Sequence, residues 1–80
     1  MLAARDMAND TERQMEVLRT LFHRLNNQLG IVLANAELLE SRVSDRDARS
    51  RASQVIESAL EAMTTVRALR REVERDLDTE

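Results

Sequence analysis

The sequence predicts an all-α protein: an antiparallel two-helix hairpin that dimerises into a four-helix bundle. The first observation is composition. The 80 residues are 42% hydrophobic and 34% charged, with no proline, one glycine and one aromatic residue, which suits long helices better than sheets. The second observation is that apolar residues recur at alternating spacings of three and four, the heptad pattern of packed helices.

The first helix is predicted over about residues 10–41. Asn9, Asp10 and Thr11 are each suitable residues to cap its N-terminus. An apolar seam runs along it, formed by Met15, Leu18, Phe22, Leu25, Leu29, Val32, Ala36 and Leu39. Four more apolar residues are expected to widen this seam on one flank, namely Val17, Leu21, Ile31 and Leu38. A widened seam favours a bundle core over a two-stranded coiled coil.

The second helix is predicted over about residues 46–77, after a turn at about 42–45. Ser44, with Asp47 three residues later, resembles a capping box for its start. Its seam consists of Ala52, Val55, Ala59, Ala62, Val66, Leu69 and Val73, widened by Ile56, Leu60 and Met63. Alanines opposite the large side chains of the first helix would allow close packing. Because the turn is short, residues 1–80 are predicted to form one domain with antiparallel helices.

Dimerisation is predicted because a hairpin this small leaves apolar surface on both helices. The chain has no cysteine and one histidine, so neither a disulfide nor a metal site is predicted, and no cofactor. A net charge of -3 does not favour binding to nucleic acid. No apolar run approaches the roughly 20 residues of a membrane span, and no signal peptide is recognisable, so we expect no membrane contact and a cytoplasmic location.

His23 is the candidate for chemistry. Residues three and four apart on a helix are neighbours, so Arg19, His23, Asn27 and Gly30 are expected to form one column beside the seam. A neutral imidazole is a nucleophile near neutral pH, arginine can hold phosphoryl oxygens, and the Asn27 amide could orient water. Spacing alone leaves other interpretations open. A single histidine on a helix is most often an ordinary surface residue, and Gly30 could serve either a partner's approach or tight helix packing.

The run from His23 to Leu39, HRLNNQLGIVLANAELL, resembles the phosphoacceptor helix of sensor histidine kinases, in which a common form is H-D-L-N-N-x-L-x-x-I-x-G-x-A-E-L-L. The resemblance implies a dimerisation and histidine-phosphotransfer (DHp, HisKA-like) domain. His23 would then be the phosphoacceptor and Asn27 the residue that orients water for removal of phosphate. Arg19 and Arg24 would contact the phosphoryl group or the partner, a response-regulator receiver domain that supplies its own aspartate and Mg²⁺.

Arg24 departs from this family, whose members usually carry an acid directly after the histidine to act as a base in autophosphorylation. Arginine is permanently charged and cannot accept that proton. His23 is therefore better suited to exchanging phosphate with a receiver than to taking it from ATP. No ATP-binding domain is recognisable in the 80 residues. The chain is expected to be either a fragment of a sensor histidine kinase, whose ATP-binding domain would then be a partner, or a stand-alone phosphotransfer or decoy protein.

Two other functions stay open. The first is a non-catalytic helical dimer that binds a receiver, a kinase or another helix without chemistry, which Arg24 favours. The second is a plain dimerisation or scaffold segment. Substitutions at Arg19, Arg24 and Asn27 would be silent in a scaffold, whereas loss of a core leucine would abolish the dimer in every case.

Overall fold

The computed structural model describes the backbone of residues 2–78 and the side chains of residues 9–76. Two helices make up this part of the chain: α1 (Leu2–Arg42) and α2 (Arg46–Asp78). They pack against each other along an elongated hairpin of 67 × 17 × 11 Å. The all-helical class and the antiparallel hairpin are confirmed. Neither helix carries, among these residues, an apolar stretch sufficient to cross a bilayer.

The start of α1 corrects the predicted boundary. The helix begins at Leu2 rather than near Asp10, so Asn9, Asp10 and Thr11 lie inside it and cap nothing. The physical reason is the upstream composition, since leucine, alanine, arginine and methionine at residues 2–8 favour the helix and neither proline nor glycine interrupts it.

The turn consists of Val43, Ser44 and Asp45. Asp45, rather than Ser44, caps α2: its Oδ2 accepts the backbone N–H of Ala48 at 2.9 Å, and its carbonyl accepts that of Arg49 at 3.0 Å. The predicted Ser44–Asp47 box is therefore wrong. Because α2 begins at Arg46, Asp45 occupies the N-cap position and its carboxylate reaches the third N–H of the helix.

Each predicted seam divides into two heptad rows with different surroundings. The hairpin rows face the neighbouring helix and hold the buried side chains; they are Met15, Phe22, Leu29 and Ala36 in α1, with Ala52, Ala59, Val66 and Val73 in α2. The groove rows lie beside them and are largely open; they are Leu18, Leu25, Val32 and Leu39 in α1, with Ala48, Val55, Ala62 and Leu69 in α2. Ala52 is 2% exposed and Ala59 4%, so both alanines are almost completely covered at the helix interface, where small residues were expected.

The groove rows line an apolar groove along one side of the hairpin. Its two adjoining hollows, of about 600 and 460 Å³, share Val32, Arg51 and Val55 in their walls. The four flanking residues of α1 share one flank, as predicted. Val17, Ile31 and Leu38 occupy one heptad position, each turned by about 200° from the hairpin-row residue two positions before it and facing away from α2, and Leu21 lies between them and the groove. All four are exposed, from 49% for Leu21 to 61% for Ile31.

One side-chain hydrogen bond ties the helices together near the turn, where Ser53 Oγ donates to Glu40 Oε2. At the other end, Met15, Leu18, Arg19 and Phe22 enclose a small hollow with Val73 and Glu74. These two contacts fix the antiparallel register and determine which residues of α2 lie level with each turn of α1.

Candidate functional site

His23 lies on the side of α1 that faces away from the apolar groove. Successive helical residues rotate by about 100°, so His23 is turned by that angle from buried Phe22. Leu25 is turned by about 60° in the opposite direction, towards the groove. The imidazole is exposed and makes no hydrogen bond or ion pair with any residue whose side chain is described. A partner can therefore reach His23 without displacing anything from the groove.

The other members of the predicted column lie along the same ridge of α1. Arg19 is one turn before His23 and Asn27 one turn after it, and both side chains are exposed. Arg24 is turned by a further 100° or so from His23 and projects away from α2. The structure thus brings Arg19 and Asn27 onto the ridge of His23, whereas Arg24 occupies the neighbouring outer surface.

Gly30 leaves an opening on this ridge. A Cβ atom built at Gly30 meets nothing within 4 Å, and the residue has no positive φ. Neither packing between α1 and α2 nor an unusual backbone conformation therefore requires a glycine at this position. A glycine in the middle of a helix costs about 1 kcal/mol relative to alanine, and within this hairpin that cost has no compensating contact.

Asn26 is a residue of the motif to which the sequence pattern assigned no role. It is turned by only about 40° from Phe22, so its half-buried side chain lies against α2. Its Oδ1 is buried and accepts no hydrogen bond. An amide inside an otherwise apolar seam, between Phe22 and Leu29, was the sequence signal that could have identified it. A buried acceptor without a donor costs about 1–3 kcal/mol.

The electrostatic surroundings of His23 are cationic. Residues 17–36 of α1 contain Arg19 and Arg24 and no carboxylate. Neither arginine forms an ion pair with a described residue. No group of three histidine, aspartate or glutamate residues within the described chain is placed to hold a metal ion. The site consists of an exposed imidazole, an amide and the guanidinium of Arg19 on one ridge, with Arg24 on the neighbouring outer surface.

Comparisons of the chain with known protein families, with characterised proteins and with solved structures find no match.

Proposed function

We propose that this chain is a dimeric histidine-phosphotransfer domain of two-component signalling, in which His23 exchanges a phosphoryl group with the aspartate of a receiver domain. The observation that carries the proposal is the placement of His23: exposed, unpaired and on a side of α1 remote from the apolar groove. The resemblance of residues 23–39 to the phosphoacceptor helix supports it independently of that geometry.

The proposed reaction needs little from this chain beyond position and charge. The unprotonated ring nitrogen of His23 attacks the phosphorus of the receiver's aspartyl phosphate. An N–P bond forms, the P–O bond to the aspartate breaks, the carboxylate leaves with the electron pair, and the other ring nitrogen releases its proton to solvent. The receiver's Mg²⁺ neutralises phosphoryl charge, as in other phosphoryl transfers. Arg19 adds positive charge from this side, and Asn27 orients water when phosphate is removed by hydrolysis.

The proposed dimer places two apolar grooves against each other around a two-fold axis, forming a four-helix bundle. Five of the six large side chains of the groove rows are about half exposed, from 40% for Leu25 to 53% for Leu69. Fully burying such a side chain contributes about 1.5–3 kcal/mol, so the unburied halves of five of them give each chain several kcal/mol on association. The free energy that two chains gain together by burying these side chains is then large enough to offset the roughly 4–15 kcal/mol that association costs.

The transfer is tested with receiver domains from the genome that encodes this chain, phosphorylated with acetyl phosphate and Mg²⁺. We expect at least one receiver to lose its phosphate and the chain to gain an acid-labile, base-stable label. His23→Gln abolishes the label. The matched control combines His23→Gln with Gln28→His, which keeps the composition but moves the imidazole about 140° around α1. Labelling of that double variant, or no label on the wild type with any receiver, overturns the proposal.

The dimer is tested with a pair of adjacent substitutions. Val32 lies in the groove and is 45% exposed, whereas Ile31 faces away from it and is 61% exposed. Sedimentation equilibrium is expected to show a monomer for Val32→Glu and an unchanged dimer for Ile31→Glu, because only the first buries a charge between chains. If Ile31→Glu dissociates the dimer and Val32→Glu does not, the chains associate through a different face.

A non-catalytic interaction module is the second candidate, and Arg24 favours it because arginine cannot act as a base. This module would bind the same receiver without chemistry. His23→Gln would then leave receiver affinity unchanged, and no label would reach the wild-type chain. The labelling experiment therefore separates the two functions directly.

A further inference from the structure

We infer that Glu74 of α2 is a positioning residue for His23: its carboxylate accepts a hydrogen bond from the Nδ1–H group of the imidazole and leaves Nε2 as the nucleophile. This inference rests on the proposed function, in which His23 takes up a phosphoryl group. It brings a carboxylate from α2 to a stretch of α1, residues 17–36, that contains none.

Glu74 lies on the same side of the hairpin as His23. Phe22 and Val73 line one small hollow between the helices. His23 and Glu74 are the next residues of their respective helices, so each is turned by about 100° from that pair. In both helices the groove row is turned in the opposite direction. The two helices therefore present His23 and Glu74 together, on the side of the hairpin that is remote from the groove.

The side chains of His23 and Glu74 also lean towards each other along the hairpin. Glu74 lines the hollow beside Arg19, which precedes His23 by one helical turn of about 6 Å. The Cα–Cβ bonds of an α-helix tilt towards its N-terminus. His23 therefore leans back towards Arg19. Glu74 leans towards Arg70, and because α2 is antiparallel to α1, this direction leads towards His23.

The carboxylate of Glu74 is held in place by one hydrogen bond and keeps capacity for another. Arg70 Nε donates to Glu74 Oε1 at 3.2 Å, and the Glu74 side chain is 37% exposed. A carboxylate has two acceptor oxygens, so the second oxygen can accept the imidazole N–H. The exposed ring of His23 approaches it by rotation about its side-chain bonds. Hydrogen bonds of this kind are often long in an unliganded site and tighten when the substrate binds.

Among the described residues, no other carboxylate is as well placed for His23. Glu16 lies on the same ridge of α1 but about 10 Å before His23, and its side chain leans further away. Glu72 is turned by about 100° from Val73 towards the groove side, and it already pairs with an arginine at 3.4 Å. Glu74 alone combines the side of the hairpin and the level that the hydrogen bond requires.

The hydrogen bond fixes which ring nitrogen of His23 carries the proton. With the proton on Nδ1, the lone pair of Nε2 is free to attack phosphorus. As the N–P bond forms and the P–O bond to the receiver's aspartate breaks, the ring gains positive charge. The carboxylate of Glu74 stabilises that charge until Nδ1 releases its proton to solvent, as the aspartate of a hydrolase triad stabilises its imidazolium.

The tautomer of His23 is measured by long-range ¹H–¹⁵N NMR of the uncharged ring, since His23 is the single histidine of the 80 residues. We expect the Nδ1–H tautomer to predominate in the wild type. In Glu74→Ala the Nε2–H tautomer is expected to increase at its expense, because the acceptor is lost. Glu74→Gln keeps an uncharged acceptor oxygen and should restore part of the preference for Nδ1–H.

The matched control is Glu72→Ala. Like Glu74→Ala, it removes one negative charge and one exposed ion pair with an arginine of α2, but on the groove side. It should leave the tautomer of His23 unchanged. Circular dichroism and sedimentation equilibrium first verify that both alanine variants keep the helicity and the association state of the wild type.

The reactivity of His23 is measured with phosphoramidate, a small phosphoryl donor that requires no receiver. Nε2 attacks phosphorus, the N–P bond to the ring forms, the P–N bond of the donor breaks, and ammonia leaves. The rate is followed by ³¹P NMR. We expect Glu74→Ala to slow the reaction about tenfold and Glu72→Ala to change it less than about twofold.

The outcomes separate this inference from the proposed function. A wild-type ring without preference for Nδ1–H, or equal slowing by both alanine variants, overturns the role of Glu74 and leaves phosphotransfer standing. A tautomer and a phosphoramidate rate that depend on Glu74, with no transfer from any receiver, support the positioning role and overturn the proposed function. Transfer from a receiver that proceeds equally fast in Glu74→Ala and Glu72→Ala overturns the positioning role.

Discussion

Replacing Gly30 with alanine should stabilise the protein, even though the position belongs to the candidate site. The added methyl group meets nothing within 4 Å, so no steric cost offsets the gain in helix propensity. That gain is about 0.8–1.0 kcal/mol for alanine over glycine in a helix interior. Because Gly30 is turned by about 80° from Phe22, away from the groove, dimerisation through the groove leaves the gain intact.

The free energy of unfolding is measured by urea denaturation at fixed chain concentration, since the unfolding of a dimer depends on concentration. A gain of about 1 kcal/mol per chain raises the midpoint by about 0.3–1 M for slopes typical of small proteins. The matched control is Ala34→Gly, an exposed position one turn further along the same ridge, which should lower stability by a similar amount. The double variant should therefore resemble the wild type.

A Gly30→Ala variant that is less stable than the wild type would refute this reasoning, provided that Ala34→Gly behaves as expected. Such a result would place another chain against Gly30 and would move the dimer interface to the face of His23. Label transfer adds a second readout. Loss of transfer in a stabilised Gly30→Ala variant would show that the opening at Gly30 admits the partner.

Three further substitutions follow from the packing and the turn. Asn26→Leu should raise the free energy of unfolding, measured by urea denaturation, by about 1 kcal/mol, because it removes a buried acceptor that has no donor. A loss of stability in this variant would mean that the Asn26 amide has a hydrogen-bond partner in the dimer. Asp45→Ala should lower the thermal midpoint, because loss of the N-cap reduces the free energy of unfolding by about 1 kcal/mol, whereas Ser44→Ala should leave the midpoint unchanged. Equal effects of the two substitutions would contradict the assignment of Asp45 as the cap. Ala52→Leu should cost about 1–3 kcal/mol by separating the helices, and a neutral result would show that the interface has room there.

Much of the architecture was predictable because heptad spacing, the absence of proline and a polar break near Ser44 act locally along the chain. The predicted start of α1 and the predicted cap of α2 were wrong because more than one local structure was compatible with the sequence at each place. Good helix formers upstream of Asp10 continued α1 to Leu2. Two acceptable caps lay side by side, and Asp45 was selected because α2 begins at Arg46. At the candidate site, helical periodicity was sufficient to predict that Arg19, His23 and Asn27 lie along one ridge of α1. The surroundings of Asn26 and Gly30 could not be predicted in this way, because they depend on the position of α2.

The sequence by itself determined that the protein consists of two long helices, each with an apolar seam, and that His23 lies beside the seam of the first. A heptad repeat, however, is symmetrical with respect to its two rows, because both carry apolar residues at the same period. Only the tertiary structure decided that the rows of Phe22 and Ala59 pair within the chain while those of Val32 and Val55 stay open. The physical reason is not side-chain size, since each row of α2 contains two alanines, but the geometry of the turn, where Asp45 caps α2 and Ser53 donates a hydrogen bond to Glu40. This choice also sets which residues of α2 lie beside His23.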